Sequence, residues 1–554
     1  MDIKRLGSFH ATRLSFMRFL MRRLMGEQWQ ISTARNELDE EGYGTVVYRM
    51  QANGNVYNWV AFSQYLPDEL RNDRVIAEQW DVTMALCAGD VSDAELADLR
   101  RNVPKQEGGR YNSKVLVLSR GNKSSRNFAY VVDCLAAGRQ PDMQKLADVG
   151  YLYRTTAVYG SGKFGMADWE KVLRHCSEFA HPFSAEMFNC YMLRHFSVQQ
   201  AEHLASIKSP DSAVAMDVHV QRFLGIGNAT GLGMAPYLIR HPKLISRWVL
   251  QREKAIAHAV YANAVTPDNE ARLRTLLAQA IQHVRETNVP DQAQRFCNDI
   301  LAREMQALLL WLRSANYPAN ESSWAALVEY VNQHYSVETQ EMINSLLIEL
   351  DDHSCQAEAQ YTGVDESYHL QPAMLLTQLQ KLIEQHYDWA LSIDFDTEAA
   401  NHFFWYRSEE KMEPRLGERF NEPGADREMP LTVARQVRHC YDQLLSCMAE
   451  ADAPQTVAEL VIDVPELGGI IKRMQSMAQE CYGEIRANLA DKNMLPLDLL
   501  RCKLSFFGVG KFDPKSSLWV RNTMFQGAPV AADIGQPFSD DWFFPVAAAD
   551  DRAA

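Results

Sequence analysis

The sequence predicts an α+β fold dominated by helix, in which a small N-terminal sheet, expected to be antiparallel, precedes a large helical body. Two observations support this fold class. Residues 1–122 contain runs rich in β-branched and aromatic residues, and from about residue 123 the apolar residues recur at helical spacing. No fixed repeat is present, so a solenoid is not expected.

A β-hairpin is the clearest local feature of the N-terminal region. The β-rich runs 44–51 and 56–66 are separated by a short segment that contains Asn53 and Gly54. Both of these residues tolerate positive φ, which tight hairpin turns require. Further strands are expected at 80–89 and 114–121.

Helix starts are marked by a capping signal in the N-terminal region and by prolines in the helical part. Ser92 and Glu95 form a capping box that starts a helix before the last predicted strand. Pro267 suits the first position of a later helix, because its missing N–H has no partner there. The predicted domains are 1–122 (α+β with a basic leading helix), 123–400 (helical), 401–535 (mostly helical with a charged loop) and 536–554 (disordered tail).

Composition narrows the class of protein. The chain has 554 residues, 47% of them apolar, and a net charge of −15, which disfavours broad nucleic-acid binding. Its ten cysteines form no CxxC pair and are expected to be reduced thiols in the cytoplasm. No apolar run reaches the length of about 18 residues that a transmembrane helix needs, so no such segment is expected.

The first 25 residues are basic and amphipathic. Leu14, Met17, Met21 and Leu24 fall on one helical face, and the segment contains five arginines and Lys4 against a single acidic residue, Asp2. The segment is expected to dock on the acidic protein itself, since amphipathic helices usually face a core. A membrane-surface helix and an organellar transit peptide are the alternatives.

The strongest candidate site is the glycine-rich stretch 225–236. It is predicted to be a loop whose backbone N–H groups hold an anion through Gly227, Asn228, Thr230 and Gly231. A helix that begins at Pro242 or earlier would add its N-terminus. The stretch lacks the Walker A ending and the dinucleotide spacing, and the residues before it look helical. The alternative is a helix crossing that needs close backbone approach.

Basic side chains near this and other glycines are predicted to clamp the anion. Arg240 and His241 follow the glycine stretch, and Lys163 lies in the loop predicted at 159–165. The same aromatic-Gly-x-Gly-Lys-Phe motif recurs at 507–512. The two copies either form two halves of one anion pocket or are similar by coincidence.

A third candidate is the charged segment 402–420, which follows an aromatic run. Arg407 is a candidate clamp, and Glu409 and Glu410 are candidate proton carriers, with His241 as a competitor. The alternative is a solvated charge run. The histidine and cysteine spacings match no metal site, and no cofactor is indicated.

These features predict an enzyme that acts on a small anionic molecule, a carboxylate or a phosphate ester. The reaction class stays open between lyase, transferase and hydrolase. The alternative is a non-enzymatic helical interaction protein that docks through its basic N-terminal helix to an anionic surface or a partner subunit. Leucine- and methionine-rich helices also suggest a homo-oligomer.

Overall fold

The computed structural model describes residues 12–67, 69, 80–102, 114–159, 175–181, 183–229, 242–262, 265–286, 292–314, 323–351, 370–395, 429–479, 521–537, 542 and 544. Every structural statement below concerns these residues.

Eight strands form one sheet in which each strand lies beside the next strand along the chain. They are β1 (Gln30–Leu38), β2 (Gly44–Ala52), β3 (Asn55–Ser63), β4 (Val82–Ala88), β5 (Val115–Lys123), β6 (Tyr151–Tyr159), β7 (Gly225–Ala229) and β8 (Arg521–Met524). All neighbours are antiparallel except β6 and β7, which are parallel. The α+β class is confirmed, but the prediction of a small antiparallel sheet is wrong. The sheet is mixed because a long crossover returns the chain from β6 to β7 in the same direction.

The four predicted strands correspond to β2, β3, β4 and β5. The turn between β2 and β3 has Asn53 at φ 49° and Gly54 at φ 85°, as the hairpin signal requires. The sequence pattern missed the other four. No residue of the edge strand β1 is buried, so it carries no apolar alternation. The segment of β6 was expected to lead into a loop, and that of β7 was itself expected to be one.

The long helix α5 (Ser184–Lys208) packs against the sheet and is buried around most of its circumference. Its buried polar side chains are paired. Asn189 accepts a hydrogen bond from Trp59 Nε1 at 2.9 Å and donates one to Ser119 Oγ at 2.8 Å. These bonds fix the helix against the strands, since an unpaired buried amide is costly.

The basic N-terminal helix α1 (Phe16–Gly26) packs onto its own chain. Its four predicted apolar residues are buried in the core that also contains α5. Arg18 is buried as well, and it donates two hydrogen bonds to Glu349, at 2.5 and 2.6 Å. Residues 12–26 therefore pack against the protein itself, as the sequence analysis expects of the basic N-terminal segment.

The remaining helices fall into two groups. The first group is α2 (Asp93–Asn102), α3 (Phe128–Ala136), α4 (Met143–Ala147), α6 (Val218–Phe223), α7 (Pro242–Ala257), α8 (Pro267–Glu286), α9 (Gln292–Trp311), α10 (Ala325–His334) and α11 (Val337–Leu350). The second is α12 (Leu376–His386), α13 (Asp388–Leu391), α14 (Met429–Glu450), α15 (Val457–Asp463) and α16 (Gly468–Met477). As predicted, α8 begins at Pro267.

Two large hydrophobic cores follow this grouping. One core joins the sheet to helices of the first group and takes in Met524, Phe525 and Phe544 near the C-terminus. The other is formed by α12 to α16. The sheet also includes β6, β7 and β8 from beyond residue 122, while the division into four domains stays a prediction. Among the described helices, none combines the length and apolarity needed to cross a bilayer.

Candidate functional site

The first part of the glycine-rich stretch is a strand, so the predicted loop is wrong over 225–229. A Cβ on Gly225 would lie 2.4 Å from the carbonyl oxygen of Met524, and one on Gly227 would lie 2.6 Å from the Tyr151 ring. Both glycines are therefore required by close approach within the sheet. The residues just before the strand do form a helix, α6, which ends at Phe223, so the chain changes from helix to strand within two residues.

The end of β7 lies at one edge of the sheet with the end of β6 and the start of β8. Arg154 is level with Gly227 in the parallel pair, and Ala229 is level with Arg521 in the antiparallel pair. We call this edge the carboxyl edge. Given a rise of about 3.3 Å per residue and a strand spacing of about 4.8 Å, the ends of β6 and β7 are about 11 Å apart. The segments that follow β6 and β7 therefore both start at the carboxyl edge.

The helix after the glycine-rich stretch begins at Pro242, as predicted. Strand β7, a glycine-containing segment and α7 therefore follow one another along the chain. This order resembles the strand–loop–helix units that bind anions at the carboxyl ends of parallel strands.

Most predicted site residues lie outside the described residues. These are Lys163, Thr230, Gly231, Arg240, His241, Arg407, Glu409 and Glu410. Gly227 and Asn228 belong to β7, where Asn228 pairs in register with Asn522 of β8. The binding and catalytic roles of all ten residues stay predictions.

Arg194 fastens the C-terminal segment to the sheet. Its buried guanidinium donates hydrogen bonds to the carbonyl oxygens of Leu224 (2.6 Å), Ala528 (2.6 Å) and Pro529 (2.9 Å), and to those of residues 221 and 222. Burial lowers the pKa of Arg194 to about 10, so the group is still charged at neutral pH. This charge joins α5, the end of α6 and the segment that follows β8, and so holds β8 beside β7.

His195, the next residue of α5, is kept neutral by its surroundings. Burial, with a smaller contribution from the Arg194 charge, lowers its pKa to about 4. Its ring packs edge-on against Tyr48, with centroids 5.0 Å apart. In the sequence His195 is one of several histidines and cysteines whose spacing matches no metal site, and nothing in its neighbourhood along the chain reveals its contacts.

A histidine–carboxylate pair lies where α7 passes into a π-helical turn, His258–Ala262. His258 Nδ1 is 2.9 Å from Asp351 Oδ2, and the aspartate side chain is 1% exposed. Glu349, on the same helix end, binds Arg18. Both acidic groups near the end of α11 are thus paired with basic side chains. Within the described part of the chain, no cluster of three or more histidine, cysteine or acidic side chains is arranged to hold a metal ion.

Comparison with known proteins adds no assignment: no protein-family model, curated protein sequence or solved structure matches the chain.

Proposed function

We propose that the protein is an enzyme that binds a small anionic molecule, a carboxylate or a phosphate ester, at the carboxyl edge. The observation that carries the proposal is the parallel pair β6 and β7, which run toward the same edge of the sheet and end about 11 Å apart. In open α/β sheets, ligands bind outside the carboxyl ends of the parallel strands.

The sequence that follows these strands has the chemistry an anion needs. Lys163 comes four residues after the end of β6, within about 14 Å of extended chain. Asn228, Thr230 and Gly231 span the end of β7, and Arg240 lies two residues before Pro242, where α7 begins. Backbone N–H groups of a glycine-rich segment and a helix N-terminus both favour negative charge.

The second copy of the glycine–lysine motif, at 507–512, precedes a strand that begins at the same edge. It ends at Phe512, nine residues before Arg521, where the chain enters β8. In this proposal the motif at 507–512 contributes to the same anion pocket as 159–165; the alternative is that the two motifs are similar by coincidence.

Proton transfer is assigned to the predicted carriers. Glu409 or Glu410 would move the proton, with His241 as the competitor, and Arg407 would hold the substrate bidentately. The reaction class is lyase, transferase or hydrolase. The alternative function is a helical interaction protein.

The proposal is tested by a thermal-shift screen against phosphate, pyrophosphate, nucleotides, coenzyme A and small carboxylates. An anion at 100 times its Kd should stabilise the folded state by about 2.7 kcal/mol. We expect the shift to disappear in Lys163→Ala and Arg240→Ala and to persist in Lys208→Ala. Lys208 is a matched control because it is an exposed lysine that pairs with Asp133 at 2.7 Å.

Silence across the panel, or a shift that survives both test variants, would overturn the proposal. Silence would favour the interaction protein, whose partners would then be sought with the full chain.

A further inference from the structure

A second feature of the fold is a cavity of about 210 Å³ between α2 and the sheet. Its apolar walls are Cys87 of β4, Val115 of β5, Ala94 and Leu99 of α2, and Val91 before that helix. The cavity lies on the face of the sheet opposite α5, because Cys87 and Val115 belong to a separate small core with Leu96 and Leu99.

The cavity is built into the strand pairing by a β-bulge. Leu86 pairs with Val117 but Cys87 pairs with Val115, so Leu116 is the extra residue on β5. Leu116 and Val117 consequently both face the main core, while Val115 faces α2. Bulges recur beside functional sites, where they redirect side chains.

The walls suit an apolar guest. Burial raises the pKa of the Cys87 thiol to about 12, so the group is neutral and behaves as a small hydrophobic side chain. A dry apolar cavity of about 150 Å³ is large enough to take benzene. A cavity of 210 Å³ accommodates a somewhat larger ring system.

Charged side chains line the rim and disfavour an anion. Lys114 Nζ lies 2.7 Å from Glu95 Oε1, and Glu95 also accepts hydrogen bonds from Ser92 N and Oγ, both at 2.8 Å. Bonds from Lys114 and Ser92 lower the pKa of Glu95 to about 2, so it stays ionised. Asp98 also lines the cavity, and Arg101 Nη2 lies 3.5 Å from its Oδ1. Each carboxylate at the rim therefore has a cationic neighbour, so the rim carries no surplus positive charge that would attract an anion.

We propose that this cavity is a binding site for a small molecule with an aromatic or branched apolar body and a neutral or cationic polar group. The molecule's apolar body would occupy the space between Leu99 and the bulge, and its polar group would lie at the rim beside Glu95 and Asp98. The site is separate from the anion site proposed above, because its walls come from α2, β4 and β5.

The test is a titration of the full-length protein with indole, tryptamine and indole-3-acetate, followed through the methyl NMR signals of Val91, Leu99 and Val115. Indole and tryptamine should shift these signals saturably, and indole-3-acetate should bind at least several-fold more weakly. No saturable shift, or preferential binding of the acid, would overturn the proposal.

Two variants and one control locate the binding. Cys87→Phe fills the floor of the cavity, and Val91→Phe fills its rim should the first variant fail to fold. Val218→Phe is the matched control, since Val218 is an exposed valine at the start of α6. We expect at least a tenfold loss of indole affinity in a filled variant and none in the control or in Lys163→Ala. Undiminished affinity in a folded Val91→Phe or Cys87→Phe protein would contradict the site.

Discussion

Replacing Gly225 by alanine should detach β8 from the sheet. The added Cβ would lie 2.4 Å from the carbonyl oxygen of Met524 and 2.9 Å from the amide nitrogen of Gln526. These two obstacles are backbone atoms of the β8 segment, which cannot rotate aside as a side chain can; the Thr523 methyl group lies at 2.8 Å as well. The segment must therefore move away from β7.

The expected cost follows from what the segment buries. Overpacking a well-packed site costs roughly 1–3 kcal/mol. We expect the upper end, about 3 kcal/mol, because displacement would also expose Phe525 and Ala528, which are fully buried, and strain the bonds from Arg194.

The assay is urea unfolding combined with hydrogen exchange of the amides of residues 521–529. Gly225→Ala should unfold at lower urea and lose protection in this segment. Gly469→Ala is the matched control: no atom lies within 4 Å of its added Cβ, so alanine should be neutral or stabilising by up to about 1 kcal/mol. An unchanged unfolding midpoint with normal protection in Gly225→Ala would refute the reasoning.

Three further predictions concern other parts of the molecule. Arg194→Met should destabilise the protein by about 3 kcal/mol or more, because it leaves several buried carbonyl groups unpaired; urea unfolding beside the exposed control Arg139→Met checks this, and equal loss in both would contradict it. Since burial lowers the pKa of His195 to about 4, the unfolded chain takes up this proton first as the pH falls from 6.5. Stability should therefore fall between pH 6.5 and 4, by at most about 1.4 kcal/mol per pH unit, and His195→Gln should flatten that part of the profile, whereas an unchanged slope would show that the histidine is not involved. Leu379→Ala should cost about 2–5 kcal/mol in the core of α12 to α16; hydrogen exchange should speed up in α12 but not in α8, and a uniform increase would argue against two separate cores.

The features predicted correctly from the sequence are those that depend on residues close together along the chain, such as turns and helix starts. Asn53 and Gly54 specify a hairpin turn whatever the rest of the chain does, and Pro267 specifies a helix start for the same reason. The strands β6, β7 and β8 depend instead on partners far away in sequence, which no window of neighbouring residues can reveal.

The site residues divide in the same way. Gly225 and Gly227 stood out by composition, but their packing against Met524 and Tyr151 could be recognised only in the folded sheet. The sequence gives no sign of the ion pair between Glu349 and Arg18, because the two residues lie 331 positions apart. The cavity behind α2 depends on the register shift between β4 and β5. It could not be predicted, because this shift leaves no signature in the sequence.

The measurement that tests the central claim most directly is a lysine-labelling footprint. The protein would be acetylated with and without saturating pyrophosphate, and the modified lysines quantified by mass spectrometry. Binding at the carboxyl edge predicts that Lys163 is protected while the exposed control Lys208 is labelled equally in both samples. Equal labelling of Lys163 with and without pyrophosphate would contradict the claim that the chain after β6 helps to hold an anion.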